Sequence, residues 1–162
     1  MLTFAFQAES LKRTYVKLDL DNALMELIFQ TLLLVFLLGG MIFFPTVVAP
    51  AVFTSLEKNQ AGLFLRKLFP NYYGFIIILS GFASVLDGLK NPVFLICLGI
   101  LLSTLMVRQL LMPMINRWRD AEISGDLKAK KKFKTAHRLT VVLNIAQMCG
   151  IIYAIHVNIS HF

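Results

Sequence analysis

The stretch ALMELIFQTLLLVFLLGGMIFF, residues 23–44, decides the fold class of this chain because it is apolar almost throughout. Glu26 is its only charged residue. A helix needs about 20 such residues to cross the hydrocarbon core of a bilayer. Within lipid, a helix satisfies every backbone hydrogen bond along such a run, so we predict a membrane-spanning helix over residues 23–44.

Three further apolar runs of similar length follow, over residues 69–86, 93–111 and 139–157. They lack the alternating segments of about ten residues that build outer-membrane barrels. The pattern therefore predicts an all-α integral membrane protein, with a four-helix bundle over residues 23–159. A polar tail, residues 1–22, precedes the bundle. Initiation at Met25, which would omit this tail, is an alternative to initiation at Met1.

The composition favours a bilayer protein over a soluble one. Hydrophobic residues make up 57% of the chain and charged residues 15%, with a mean hydropathy of +0.72. The net charge of +7 could indicate nucleic acid, but the basic residues cluster at the ends of the apolar runs. No nucleic-acid motif accompanies them, so we predict no nucleic-acid partner. Cys97 and Cys149 lie inside apolar runs, so a disulfide framework is not expected.

The distribution of basic residues predicts an orientation. Eleven lie in the first and third connections between runs, and four lie in the tail and the short second connection. Because cytoplasmic loops carry the excess of Lys and Arg, we predict both long connections in the cytoplasm and both termini on the non-cytoplasmic side of a bacterial inner membrane. The basic stretch 128–134 is expected to contact anionic lipid headgroups. The alternative is that it serves only as the orientation signal.

Turn and breaker residues divide the runs. Lys90-Asn91-Pro92 predicts a tight turn, so that the second and third spans form an antiparallel hairpin. Pro45, Pro50 and Pro113 predict breaks or kinks near the cytoplasmic face. Interrupted helices line substrate sites in transporters, but the interpretation that we prefer is that these prolines end the spans.

Five short stretches occur together in a characteristic order: GGMIFF (39–44), VVAPAVF (47–53), LFPNYY (68–73), MPMINR (112–117) and HRLTVVLN (137–144). The set resembles the bacterial domain of unknown function 4149, a family related to transmembrane protein 205, over about residues 25–158. The resemblance implies a four-helix membrane protein and supplies no established activity. This family is also distantly similar to copper-resistance and haem-pathway membrane proteins.

A polar face on the fourth span marks a candidate interior pocket. The spacing of 3, 4 and 3 residues places His137, Thr140, Asn144 and Gln147 on one side of a helix. Arg108 lies at a comparable depth in the third span, and ionisable groups within a span are functional candidates. We predict that Asn144 or Gln147 shares a pocket with Arg108. The alternative, which we favour slightly, is that Arg108 extends to the cytoplasmic headgroups.

Glu26, Asp87 and His156 fall near span ends on the outer side. Two carboxylates and an imidazole could bind a divalent cation or relay protons. The preferred interpretation is three solvated side chains at the interface. Cys149, with Met148 nearby, shares a face with His156 and would suit copper, but Cys and Met are also ordinary apolar residues of spans. A metal site therefore stays undecided, and we predict no cofactor, with haem or copper as a weak alternative.

Small residues at helix-packing spacing predict close contact between spans. Their positions are Gly81, Ser84, Gly99, Ser103, Ala146, Gly150 and Ala154. They would serve packing within one chain or association with a second copy.

No catalytic constellation stands out, so the first functional hypothesis is a non-enzymatic membrane subunit or interaction protein. The second is a small oligomeric transporter or permeability factor for a cation or small molecule, which rests on Arg108 and the polar face of the fourth span. The third, a haem- or copper-linked membrane protein, rests on the distant resemblance.

Overall fold

The computed structural model describes residues 2–86 and 91–160, which form helices joined by short turns. The elements in chain order are α1 (Leu2–Phe43), a first π-helical segment (Phe44–Val48), α2 (Ala49–Ser55), α3 (Lys58–Val85), α4 (Pro92–Met106), a second π-helical segment (Val107–Leu111), α5 (Met112–Ile123) and α6 (Leu127–Ile159).

Within the described residues, four continuous helical stretches are long and apolar enough to cross a membrane, which confirms the predicted all-α class. They are Leu11–Ser55, Lys58–Val85, Pro92–Ile123 and Leu127–Ile159. Helix α1 packs against α3 and α6, and α4 packs against the same two helices, so the four stretches form a closed bundle.

Most of the apolar surface of these stretches faces outward. The core between them is built from fully buried side chains such as Leu34, Leu37, Ile76 and Ile151. Yet only 22–28% of the most apolar window of each stretch is buried within the bundle. Large exposed apolar surfaces indicate contact with a membrane or another protein.

The bundle has two distinct ends. The "short-loop end" is the one where α3 leads into α4. The "basic end" is the opposite one, where α2 leads into α3 and α5 leads into α6. Asn91 and Pro92 begin α4 as predicted, because the Asn91 side chain accepts a hydrogen bond of 2.9 Å from the Val93 amide. Residues 87–90, including Asp87, lie outside the described part of the chain.

The predicted long connections are largely helical. Between the first two spans, the helical path continues to Ser55 and resumes at Lys58. Between the third and fourth, α5 and α6 form a helical hairpin around Gly125, whose φ of +97° suits glycine. Asp126 caps α6 by accepting hydrogen bonds from the Lys128 and Ala129 amides at 2.8 and 3.1 Å. The predicted spans over residues 23–44 and 93–111 ended beside prolines, whereas the helical path continues beyond both.

The preferred interpretation that the prolines end the spans is wrong. Pro45 lies within the first π-helical segment, and Pro113 follows the second. In both segments a backbone N–H bonds to the carbonyl five residues earlier, from Ala49 to Phe44 and from Met112 to Val107. Because the wider turn accommodates a ring that has no N–H to donate, the chain stays helical through each proline.

The polar tail continues as part of α1, which begins at Leu2. From Leu11 onwards, the first buried side chain is that of Gln30. The helix therefore extends beyond the short-loop end of the bundle, and the residues between Leu11 and Phe29 form what we call the "α1 extension".

Candidate functional site

The inward face of α6 carries three carboxamide side chains, and each bonds to a different helix. Asn144, Gln147 and Asn158 follow the spacing of an interior helical face, with Ile151 and Ala154 fully buried between them. These three amides and their partners are the principal polar contacts between the bundle helices, and we call them the "amide contacts".

The first amide contact joins α6 to α3. Asn144 Nδ2 donates to the Tyr72 hydroxyl at 3.1 Å. The Tyr72 ring stacks on Phe44 of the first π-helical segment, with ring centroids 4.3 Å apart. Phe69 completes this aromatic group at 5.3 Å from Phe44. Through the Tyr72 ring, Asn144 is therefore in indirect contact with the start of the first π-helical segment.

The second amide contact joins α6 to α4. Gln147 Nε2 donates to Ser103 Oγ at 2.9 Å and to Thr104 Oγ1 at 3.1 Å. The Ser103 hydroxyl in turn donates to the Gly99 carbonyl at 2.6 Å, within its own helix. Gln147 and Thr104 are buried, so this contact is shielded from solvent.

The third amide contact joins three helices at the short-loop end. Asn158 Nδ2 donates to Gln30 Oε1 at 2.8 Å and to Thr31 Oγ1 at 3.1 Å. Gln30 Nε2 donates to the Ala83 carbonyl of α3 at 2.9 Å. Gln30 and Asn158 are each 1% exposed. Among the described buried side-chain atoms, Asn158 Oδ1 alone has no hydrogen-bond partner.

Neutral amides and hydroxyls of this kind donate and accept hydrogen bonds without changing charge at physiological pH. Their chemistry suits fixing the rotation and depth of one helix against another. It supplies no nucleophile and no acid–base pair.

The structure brings together only part of the predicted interior pocket. Asn144 and Gln147 face inward, but their bonds go to Tyr72, Ser103 and Thr104, while Arg108 is exposed on the second π-helical segment. Thr140 is half-buried and donates to the carbonyl of His137 at 2.8 Å. His137 is exposed and stacks on Phe133, with centroids 6.0 Å apart. The rotation of α6 about its axis places Asn158 on the side that faces the bundle and leaves His137 exposed.

The described outer-side residues, Glu26 and His156, are not drawn into the bundle. Glu26 and His156 are both exposed, and Asp87 lies outside the described residues. Within residues 2–86 and 91–160, no group of three or more His, Cys, Asp or Glu side chains is arranged to hold a metal ion. Cys97 is buried and Cys149 is exposed.

The small residues divide into three groups. Ala154 is fully buried, Ser84 is buried, and a Cβ added at Gly150 would lie 3.3 Å from Ile96 Cγ2, so these three pack within the chain. Gly81 and Ser103 are half-buried. Gly99 and Ala146 are exposed, and nothing lies within 4 Å of a Cβ added at Gly99.

A shallow groove lies at the basic end between α6 and the stretch from the second π-helical segment to α5. Its volume is about 540 Å³. It is lined by Leu111, Trp118, Lys128, Lys131, Lys132, Thr135, Ala136 and Leu139. Its lining is mostly apolar and includes three exposed lysines, and we call it the "basic groove".

One ion pair joins two helices near this groove, since Arg66 of α3 bonds to Asp120 of α5. Within α5, Arg119 bonds to Glu122 at 2.7 Å. The Arg119 guanidinium also lies over the Phe133 ring of α6, 5.3 Å from its centroid. Partly exposed ion pairs contribute about 0–1 kcal/mol each.

The chain matches the family model described as "Domain of unknown function (DUF4149)" over residues 32–124, more than half of its length. The chain belongs to the DUF4149 family. The match confirms the resemblance, and it covers Tyr72, Ser103 and Thr104 but ends before α6.

This DUF4149 protein is also 44% identical over 77 residues to an uncharacterized protein of Aquifex aeolicus (strain VF5). The aligned region is 48% of this chain and spans 58% of that relative's length. No solved structure matches the chain.

Sequence reasoning missed Gln30, Thr31, Tyr72, Thr104 and Asn158 as members of the amide contacts. A signal was present, because Asn144, Gln147, Ile151, Ala154 and Asn158 are spaced 3, 4, 3 and 4 apart. That spacing would have extended the inward face towards the C-terminal end of α6.

Proposed function

We propose that this protein is a non-enzymatic subunit or interaction protein of a bacterial inner membrane, with both termini on the non-cytoplasmic side. Four apolar stretches with outward-facing side chains support residence in a bilayer. The excess of basic residues at one end of the bundle supports the orientation.

The α1 extension is the observation that carries the interaction role. Tyr15 and Val16 precede the predicted span over residues 23–44, and they are 64% and 62% exposed although they are large and apolar. The extension reaches about 30 Å beyond the first buried residue, at 1.5 Å per residue. Large apolar side chains that the bundle leaves exposed outside the predicted span support contact with a partner outside the bundle.

Photocrosslinking in native membranes tests the proposal. A benzophenone amino acid at Tyr15, on the α1 extension, should give an adduct with protein. The matched control is Phe82 of α3, which is 60% exposed and faces outward from the bundle, and it should give adducts with lipid. Absence of any protein adduct from Tyr15 would contradict the proposed role.

Anionic lipid is proposed as a second partner, at the basic groove. Lys128, Lys131 and Lys132 are exposed in a groove whose lining is otherwise mostly apolar. Lysines near a membrane surface attract anionic headgroups with about 1 kcal/mol each, and the apolar lining suits an acyl chain.

The transport and redox hypotheses make different predictions. A flux that is lost on Arg108→Ala with folding intact would support a transporter and contradict the interaction role. A haem absorption band, or copper at near-stoichiometric amounts in protein purified in mild detergent, would support the redox hypothesis instead.

A further inference from the structure

One side of the α1 extension carries a seam with heptad spacing. Its members are Leu11, Tyr15, Leu18, Asn22, Met25 and Phe29, separated by 4, 3, 4, 3 and 4 residues. Alternation of 4 and 3 gives the average period of 3.5 residues that is the sequence signature of a coiled coil. The same spacing continues through Leu32 and Phe36 into the bundle region.

The seam is exposed in the single chain. Its five apolar members between Leu11 and Phe29 are 53–67% exposed. The residues of α1 that pack into the bundle lie on a different face, namely Gln30, Leu34, Leu37 and Met41, which are at most 1% exposed. Packing within the chain therefore leaves the seam free along its whole length.

Charges are excluded from the seam although the extension is rich in them. Lys12, Arg13, Lys17, Asp19, Asp21 and Glu26 all fall at other heptad positions. If Leu11 and Leu18 are assigned to the d positions of the heptad, Asn22 falls at an a position, and it is the one polar member of the seam. A single Asn at an a position sets register in parallel two-stranded coiled coils, because each Asn pairs with its counterpart.

A membrane-surface helix would not explain this arrangement. Helix α1 is continuous from Leu2 to Phe43. The part of the extension before residue 23 is therefore collinear with the predicted span over residues 23–44, and it projects away from a bilayer instead of lying on it. The partner must accompany the helix outward from the same membrane.

We propose that the partner is a second copy of this chain, and that the two α1 extensions form a parallel coiled coil along the seam with Asn22 facing Asn22. This inference rests on the proposed role as an interaction protein and names its partner. Two copies in one membrane with one orientation have parallel α1 helices, which matches the pairing that a central Asn specifies.

Disulfide trapping in native membranes tests the pairing with a matched pair of leucines. Leu18 lies on the seam and is 55% exposed, whereas Leu20 lies on the outer side of the heptad and is 59% exposed. With Cys97 and Cys149 replaced, Leu18→Cys should oxidise to a covalent dimer, because d-position side chains meet across the axis within reach of a disulfide. Leu20→Cys should remain monomeric.

A substitution that reverses one charge should strengthen the proposed dimer. In a parallel pair, Asp21 of one copy faces Glu26 of the other, which is a repulsive pair at the flanking g and e positions. Asp21→Lys makes both symmetric pairs attractive and should raise the dimer association constant about threefold in detergent. An unchanged or lower constant would contradict the register.

The outcomes separate the two proposals. Equal trapping at Leu18 and Leu20 indicates random collision and overturns the coiled coil. If Leu18→Cys gives no dimer while Tyr15 crosslinks to a different protein, the second copy is the wrong partner but the interaction role stands. If neither position gives a protein adduct, both proposals fail.

Discussion

At the residue scale, three neutral amides determine how α6 sits among its neighbours. Asn144, Gln147 and Asn158 bond to α3, α4 and α1 in turn. Polar contacts between helices in bilayers contribute about 0.6 kcal/mol on average and up to about 1.7 kcal/mol. Their larger effect is on specificity, because a rotated α6 would leave several amide groups buried without partners.

The contact between Asn158 and Gln30 should be measurable as a coupling free energy. We expect Asn158→Ala and Gln30→Ala each to lower the free energy of unfolding. The double variant should lose less than the sum by about 1 kcal/mol, because the bond between the two side chains is already lost after the first change. Unfolding in mixed micelles measures the free energy of unfolding of the unmodified protein, the two single variants and the double variant. Additive losses would show that the 2.8 Å bond makes no net contribution to stability. The control is Gln109→Ala, which removes an exposed amide.

Two adjacent glycines should respond differently to substitution. A Cβ at Gly40 would lie 2.5 Å from Phe75 Cε1, whereas nothing lies within 4 Å of a Cβ at Gly39. We expect Gly40→Ala to lower the free energy of unfolding by about 1–3 kcal/mol through overpacking, unless the ring is also made smaller. Gly39→Ala should be neutral, and Phe75→Leu should rescue Gly40→Ala. Equal effects at both glycines would exclude the close approach of α1 and α3.

At the element scale, the helices of the basic end are longer than their apolar runs. The π-helical segments carry the chain through Pro45 and towards Pro113 without ending a helix. Thr46 Oγ1 also donates to the Ile42 carbonyl at 2.6 Å, which satisfies a backbone acceptor close to the first proline. These features position α5 and the start of α6 as a helical hairpin that forms the basic groove.

The basic groove should bind anionic lipid in preference to zwitterionic lipid. Trp118 lines the groove and is the single tryptophan of the chain, so its fluorescence reports occupancy. We expect phosphatidylglycerol with brominated acyl chains to quench it more strongly than brominated phosphatidylcholine. Replacing Lys128, Lys131 and Lys132 with Gln should weaken the anionic preference about fivefold per lysine, since each contributes about 1 kcal/mol.

The control for this measurement is the pair Lys12→Gln and Lys17→Gln, which removes charge from the α1 extension and should leave the quenching unchanged. Equal quenching of the unmodified protein by both lipids would show that the groove does not select charge.

At the scale of the whole molecule, the arrangement is a four-stretch bundle with one basic end and one long helical projection at the other end. The projection and the C-terminal end of α6 lie at the end of the bundle opposite the α5–α6 hairpin. In the proposed orientation, the basic end faces the cytoplasm and the α1 extension faces away from it.

Labelling of two exposed serines tests this orientation. Ser124 lies in the turn between α5 and α6, and Ser160 follows α6. With the native cysteines replaced, a membrane-impermeant maleimide should label Ser160→Cys in cells whose inner membrane is intact. Ser124→Cys should be labelled only after lysis. The reverse pattern would place the basic end outside and overturn the proposed topology.

Hydropathy alone determined that the chain is helical and has four apolar stretches, because the hydropathy of each stretch depends only on its own residues. The turn at Asn91-Pro92 and the resemblance to the DUF4149 family were likewise predicted from short stretches of sequence. The rotation of each helix about its axis was decided only by the tertiary structure. Arg108 and Gln147 were predicted together from depth, but rotation exposes Arg108 and turns Gln147 towards Ser103 and Thr104. Side-chain partners between helices depend on packing against three neighbours at once, which no single helix encodes.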